Sequence, residues 1–163
     1  MRAVSNTSPI SNLAIIGRLS LLRQRYGRVA VPPEVARELR ALSHVAARET
    51  IDAAFHEGWL AVESVPTPSA LGELRRTLDA GEAEAIALAA ATTTDVLLID
   101  ERRGRMAARG HHLKVTGVLG ELLHAKFSGQ LPSLREEMRK LRSEARFFIR
   151  ADIESFILSQ AGE

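Results

Sequence analysis

The sequence predicts an α/β fold of three layers, a central parallel sheet with helices on both faces. Three observations carry this reading. Short apolar runs alternate with helical stretches along the whole chain, the pattern of repeated strand-helix units rather than of separate strand and helix blocks. One run, Val96-Leu97-Leu98-Ile99, is continuously apolar and too short for a helix, as a parallel strand covered on both faces must be. Helix-start signals stand at the joints: Ser8-Pro9, Pro32-Pro33, and Asp79 with Glu82 three residues later.

Taken in order, Ala3-Val4-Ser5 is a first strand that stops at Asn6, and Ser8 as N-cap with Pro9 in the first turn starts a helix. Its apolar face runs through Ile10, Leu13, Ala14, Ile16, Leu19 and Leu22, with Gly17 marking a break into two short helices. Arg28 to Val31 is a second strand, and the helix after Pro32-Pro33 carries Glu34 and Glu38 on one face. A helix capped by Ser43 runs to Gly58, and Trp59 to Glu63 is the third strand. Ser69 to Leu78 reads as helical. From Asp79 the Ala/Leu/Ile-rich run to Ala91 has the highest helix propensity in the chain, and Asp79 with Glu82 has the spacing of a capping box. Glu84 lies in its first turns, where the helix dipole favours a carboxylate. The Val96–Ile99 strand ends at Asp100, and a short basic helix follows to Gly110. Leu113 to Thr116 is the last strand. Two further helices, Gly117 to Phe127 and Leu134 to Ala145, precede an apolar final segment with Phe147, Phe148, Ile153, Phe156 and Ile157.

A chain of 163 residues suits one domain over its whole length and can bury its own core, with residues 131–161 as a possible interaction appendage. Its 45% hydrophobic and 26% charged residues exclude a disordered chain. The absence of Cys excludes disulfides and thiolate metal sites. No apolar stretch has transmembrane length or the layout of a signal peptide, so the cytoplasm is the expected location. An isoelectric point near 9.5 beside a net charge of only +2 leaves the distribution of charge, not its sum, to indicate partners.

The chemistry concentrates at strand ends. In open α/β sheets the ligand crevice lies outside the carboxyl ends of the strands, where Asp100 and Asn6 both stand. Carboxylate oxygens suit Mg²⁺ or Mn²⁺, and two such ions can stabilise the attacking and leaving oxygens of phosphodiester hydrolysis. Glu38, Glu84 and Asp100, with Asn6 as a neutral oxygen ligand, could form such a cluster. Arg102, Arg103, Arg105 and Arg109 follow Asp100 closely and suit a phosphate backbone. His111 and His112 do not make a metal pair, because neighbours on a strand point to opposite faces. Trp59 and the Phe147-Phe148 pair read as core or interface side chains rather than base-stacking platforms.

In their order and spacing five segments resemble the PIN domain nucleases. They are Val4-Ser5-Asn6-Thr7-Ser8-Pro9; Val31-Pro32 with Glu38-Leu39; Asp79 to Ala89; Leu97 to Gly104; and Thr116-Gly117-Val118-Leu119-Gly120. The first segment resembles the toxin-type, VapC-like branch whose opening strand reads V-S-D/N-T/S-S-P. The resemblance implies a PIN fold and a Mg²⁺- or Mn²⁺-dependent ribonuclease that cleaves RNA, the toxin of a pair with a small antitoxin protein. It places the metal ligands at Asn6, Glu38, Glu84 and Asp100, the last three also as catalytic acids. It puts the hydroxyl contact at Ser8 or Thr7, and Arg102 and Arg103 suit substrate contacts. One position departs from the pattern: Asn6 stands where the family has aspartate, and an amide adds no charge to a cation site. A catalytically weak scaffold that binds RNA or a protein is therefore the alternative. A phosphoacceptor domain centred on Asp100 ranks last, since no lysine follows closely after Thr116. The apolar final segment, with Leu119, Leu122, Leu123 and Phe127, suggests a homodimer or an antitoxin groove.

Overall fold

In a computed structural model that describes residues 1–163, five short strands form one parallel sheet: β1 Ala3–Ser5, β2 Val29–Val31, β3 Leu60–Val62, β4 Val96–Leu98 and β5 Val115–Thr116. Their order is β3-β2-β1-β4-β5. The chain moves outward from β1 to β3, then returns to the other side of β1 for β4 and β5, so the connections reverse between β1 and β4. That reversal opens a crevice beyond the strand ends.

Side chains alternate across the sheet and feed two cores. Ala3, Val29, Val31, Leu60 and Leu98 face one; Val4, Ala30, Leu97 and Ile99 face the other. The first core is covered by α1 (Thr7–Ile15), α2 (Ser20–Tyr26), α3 (Pro33–Arg40), α4 (Val45–His56), α8 (Val118–Phe127) and α9 (Leu134–Glu144). The second is covered by α5 (Leu71–Leu74), α6 (Ala80–Ala91) and α7 (Arg102–Gly110). The three-layer expectation is thereby met, with helices on both faces.

Several boundaries differ from the sequence reading for local reasons. Helix α1 starts at Thr7 with Asn6, not Ser8, at its N-cap; Asn6 forms no side-chain cap bond, and Ser8 lies inside the first turn with its hydroxyl bonded to Asp100. His44, not Ser43, caps α4: its Nδ1 accepts the Ala47 N–H at 3.1 Å. The stretch 69–78 breaks into a 3-10 turn at Pro68–Ala70 and the single turn α5, with Gly72 weakening any longer helix. The left-handed turn at His112, φ 60°, carries the chain out of α7 and shortens β5.

The C-terminal part divides in two. Leu134, Met138 and Leu141 of α9 are core residues, and Arg18 holds the buried Glu137 carboxylate with two hydrogen bonds of 3.0 and 2.7 Å. In α10 (Ala151–Gln160) only Leu158 is buried. Phe148 and Phe156 are 82% and 62% exposed.

Candidate active site

The register of the central strands decides what meets at the crevice. Ser5 pairs with Leu98, and Leu98 with Thr116, so the next residues of β1, β4 and β5 emerge side by side. Asn6 N–H still donates to the Leu98 carbonyl at 2.9 Å, and Ile99 N–H donates to Thr116 at 2.8 Å. Immediately beyond stand Asn6, Asp100 and Gly117.

Asp100 is held from both sides. The Ser8 hydroxyl donates to its Oδ2 at 2.6 Å and the Val118 N–H donates to its Oδ1 at 2.8 Å. Ser8 is itself fixed by Asn12, whose side-chain amide donates to Ser8 Oγ at 2.9 Å. A carboxylate facing the first amide of α8 gains from the helix dipole. Gly117 is required for this approach, since a Cβ there would collide with Asp100 Oδ1 and lie 3.3 Å from Arg105 Nη1. Burial nevertheless pushes the Asp100 carboxyl above the ordinary aspartate range; the Ser8 and Val118 bonds and the Arg105 charge pull the other way without prevailing. Arg105 in turn is held below the usual arginine range, by desolvation first and by the nearby Arg109 second.

Glu38 reaches the same crevice from α3. Thr7 donates its hydroxyl to Glu38 Oε2, so consecutive residues of α1, Thr7 and Ser8, bond the two carboxylates Glu38 and Asp100. Gly81 lets the carboxylate in, because a Cβ at that position of α6 would stand 2.9 Å from Glu38 Oε1. Neither carboxylate is paired with a cation of the protein.

Glu84 is placed differently. Its Oε2 accepts the Glu34 N–H at 2.9 Å, in the first turn of α3, and Arg75 lies 3.6 Å from Oε1. The carboxylate thus satisfies an unpaired helix amide instead of turning toward Asp100. Glu82 is the capping-box residue of α6: Asp79 Oδ1 accepts its N–H at 2.8 Å, and its own Oε2 faces the Asp79 N–H at 3.4 Å. The other oxygen is buried without a partner. Burial, then the charges of Asp79 and Glu101, push this carboxyl up to about 7. No three acidic or imidazole groups converge closely enough to hold a metal ion by themselves. His111 and His112 lie exposed.

Of the arginines expected at substrate, Arg102 and Arg103 are both exposed at the start of α7. Helical spacing aligns Arg102, Arg105, Met106 and Arg109 along one face, toward a groove that starts at Asp100, and leaves Arg103 outside it. Arg105 is the arginine nearest the carboxylate. Its position in a run of four basic residues was visible in sequence, but which face of α7 would turn inward was not. Asn12 gave no signal beyond helical spacing, and Gly117 none beyond a helix start and its place in the last of the five resembling segments.

The family model DUF3368, a PIN domain, matches residues 2–163. The chain belongs to the PIN domain family. PIN domains are generally nucleases that act on nucleic acids and use divalent metals. No curated protein and no solved structure matches the chain. In this PIN domain the donors at the crevice suit such an ion: all are oxygens, two are carboxylates bonded to neutral hydroxyls, and Asp100 is desolvated with no ion pair. A Mg²⁺ site needs only one or two protein carboxylates, with water and substrate phosphate completing the shell. No helix is long and apolar enough to cross a membrane.

Proposed function

We propose that this PIN domain is a Mg²⁺- or Mn²⁺-dependent endoribonuclease of the toxin type. The observation that carries the reading is the pair Glu38 and Asp100, held at the switch point of the sheet by adjacent hydroxyls and left without a protein cation. These two carboxylates would hold the ion, with Asn6 as a neutral neighbour at the end of β1. Glu84 would join them on releasing the Glu34 amide. The ion would supply a polarised phosphate and an activated water for phosphodiester hydrolysis. The chain's own part is to orient the donors. Ser8 and the Val118 amide fix Asp100, and Arg105 offers a positive charge beside it for a phosphate oxygen.

A labelled single-stranded RNA incubated with Mg²⁺, Mn²⁺ or EDTA tests the proposal: cleavage with either ion and none in EDTA is expected. Intact RNA under every metal condition would favour the second reading, a PIN scaffold that binds without cutting. The amide at Asn6 and the engagement of Glu84 away from Asp100 support that reading. A small antitoxin or a second copy of the chain belongs to the same toxin-type proposal, supported by the exposure of Phe127 at the end of α8.

A further inference from the structure

The groove that begins at Asp100 continues between α7, α8 and the segment 147–157, and encloses about 890 Å³. Arg105 and Arg109 line it from α7, Leu119 and Leu123 from α8, and Ile153 and Phe156 from α10. The α10 side is held differently from the rest. Helix α9 buries Leu134, Glu137, Met138 and Leu141, whereas α10 buries Leu158 alone and leaves Phe156 exposed. Polar bonds at the surface supply what apolar burial does not. Just beyond α10, the Glu163 carboxylate accepts the Ser133 hydroxyl at 2.8 Å and the Leu134 N–H at 2.6 Å, with Lys126 Nζ 3.5 Å away. Unpaired amides and the helix dipole favour a carboxylate at that end of α9. Midway along α10, Glu154 pairs with Arg142 of α9. The connection between the two helices is built to turn. Arg146 lies in the left-handed region at φ 53°, and the amides of Phe148, Ile149 and Arg150 donate no backbone hydrogen bond. Buried Ile149 pins this connection to the core.

We propose that α10 is a hinged strap: it turns about residues 146–150, and the Glu163 carboxylate seated on the start of α9 is the latch that keeps it closed along the groove. Opening removes one buried apolar side chain, Leu158, and a few surface bonds. Detaching α9 would uncover three large apolar side chains and leave the Glu137 carboxylate without Arg18. Local opening follows the boundary with the fewest buried contacts, so it separates α10 from α9 and α8 and leaves α9 on the core. An open strap widens the groove on the side opposite α7 and exposes more of α8. The movement is independent of any reaction; its use, setting access to Asp100, rests on the nuclease reading.

Amide hydrogen exchange followed by NMR on the whole chain, without metal or RNA, reads the movement. A ten-residue helix is marginal in water once undocked, so each opening exposes the α10 amides together. In wild type those amides are expected to share one rate, roughly tenfold or more above that of the protected amides of β1 and β4. Glu163→Ala is expected to speed all of them by a common factor of roughly 10- to 100-fold, the loss of hydrogen bonds to a charged group. Arg142→Gln should act in the same sense but only about 2- to 5-fold, as an exposed pair does. Arg139→Gln, whose ion pair with Glu136 lies within α9, should leave α10 unchanged. Three results overturn the proposal: α10 amides exchanging in wild type as slowly as those of β1 and β4, acceleration confined to the last turn, or no acceleration in Glu163→Ala. The first means that α10 opens only with the whole fold, the second that its end frays, and the third that Glu163 is no latch. Absence of RNA cleavage alters none of these rates, so the strap and the nuclease reading fail separately.

Discussion

Asn6 occupies the strand end where the family pattern carries aspartate, next to Asp100 in the sheet. Its side chain forms no cap bond with α1, so it is not spent on holding the turn. Asn6→Asp is expected to tighten Mn²⁺ binding by tenfold or more, because one added charge 4 Å from a divalent ion is worth about 2 to 8 kcal/mol between water-like and protein-surface screening, before the cost of desolvating the carboxylate. The same charge faces Asp100 when no ion is present, and like charges in one crevice destabilise each other. Melting temperature should therefore fall in EDTA and rise further than that of wild type on adding Mn²⁺. Equal melting curves in both conditions would place Asn6 outside the metal's reach. Gly117 gives a second residue-scale expectation. A Cβ there meets a carboxylate that Ser8 and Val118 already hold, so Gly117→Ala must move Asp100 or the start of α8. A cost of about 1–3 kcal/mol, typical of overpacking, and lost metal binding are expected in thermal melts with and without Mn²⁺.

Individual residues also show what the sequence could reveal. Asp100 was legible because a continuous apolar run ended in a carboxylate, which a buried strand permits only at its end. Glu82 was legible as a capping box and is one. Ser8 was misread as an N-cap because Ser-Pro is the common start of a helix; its bond to Asp100 depends on a strand 92 residues away. Phe148 shared its apolar type with core residues, and only the shape of the connection between α9 and α10 leaves it exposed.

At the scale of elements, the sheet was legible and the lengths of its strands were not. Alternation of strand and helix fixes a parallel sheet, whereas strands of two or three residues are cut short by caps and turns such as the left-handed His112 before β5. The break in residues 69–78 hid behind good helix formers on either side of Gly72. The placement of α9 in the core depends on long-range pairs that no local pattern announces, Arg18 with Glu137 among them. Glu163 ties the end of α10 to the start of α9: its side chain accepts the Ser133 hydroxyl at 2.8 Å and the Leu134 N–H at 2.6 Å. Burial works against its charge, but those bonds, with the Arg135 amide and Lys126, hold the carboxyl down at about 2 against an ordinary 4.5. A depressed carboxyl stabilises the fold above its unfolded value and loses that contribution as pH falls from about 4.5 toward 2. Glu163→Gln should therefore lower the melting temperature at pH 7 and converge on wild type near the lower end of that window. A constant difference across the range would mean that the side chain's charge plays no part.

For the whole molecule, charge and apolar surface are distributed rather than merely present. The net charge of +2 conceals a groove in which four arginines meet one acid, on the side of the sheet's switch point where the two carboxylates sit. The apolar surface on the groove is accompanied by positive charge, and Phe127, outside it, is the large exposed apolar side chain of α8, which we propose as the contact for a second copy. Light scattering after size exclusion tests this: a dimer at high micromolar concentration that Phe127→Ser converts to monomer is expected of a second copy, and a wild-type monomer removes it.

Asp100 and Glu38 are the proposed metal centre of a ribonuclease. Single-turnover cleavage of an end-labelled RNA, with wild type and Asp100→Asn titrated side by side with Mn²⁺, tests it most directly. Asparagine is nearly isosteric and removes one charge, so the variant should fold, melt no lower than wild type in EDTA, and cleave roughly 100-fold or more slowly, the scale of losing one preorganised electrostatic contact in an active site. Cleavage by Asp100→Asn at the wild-type rate, with the same dependence on Mn²⁺, would contradict it.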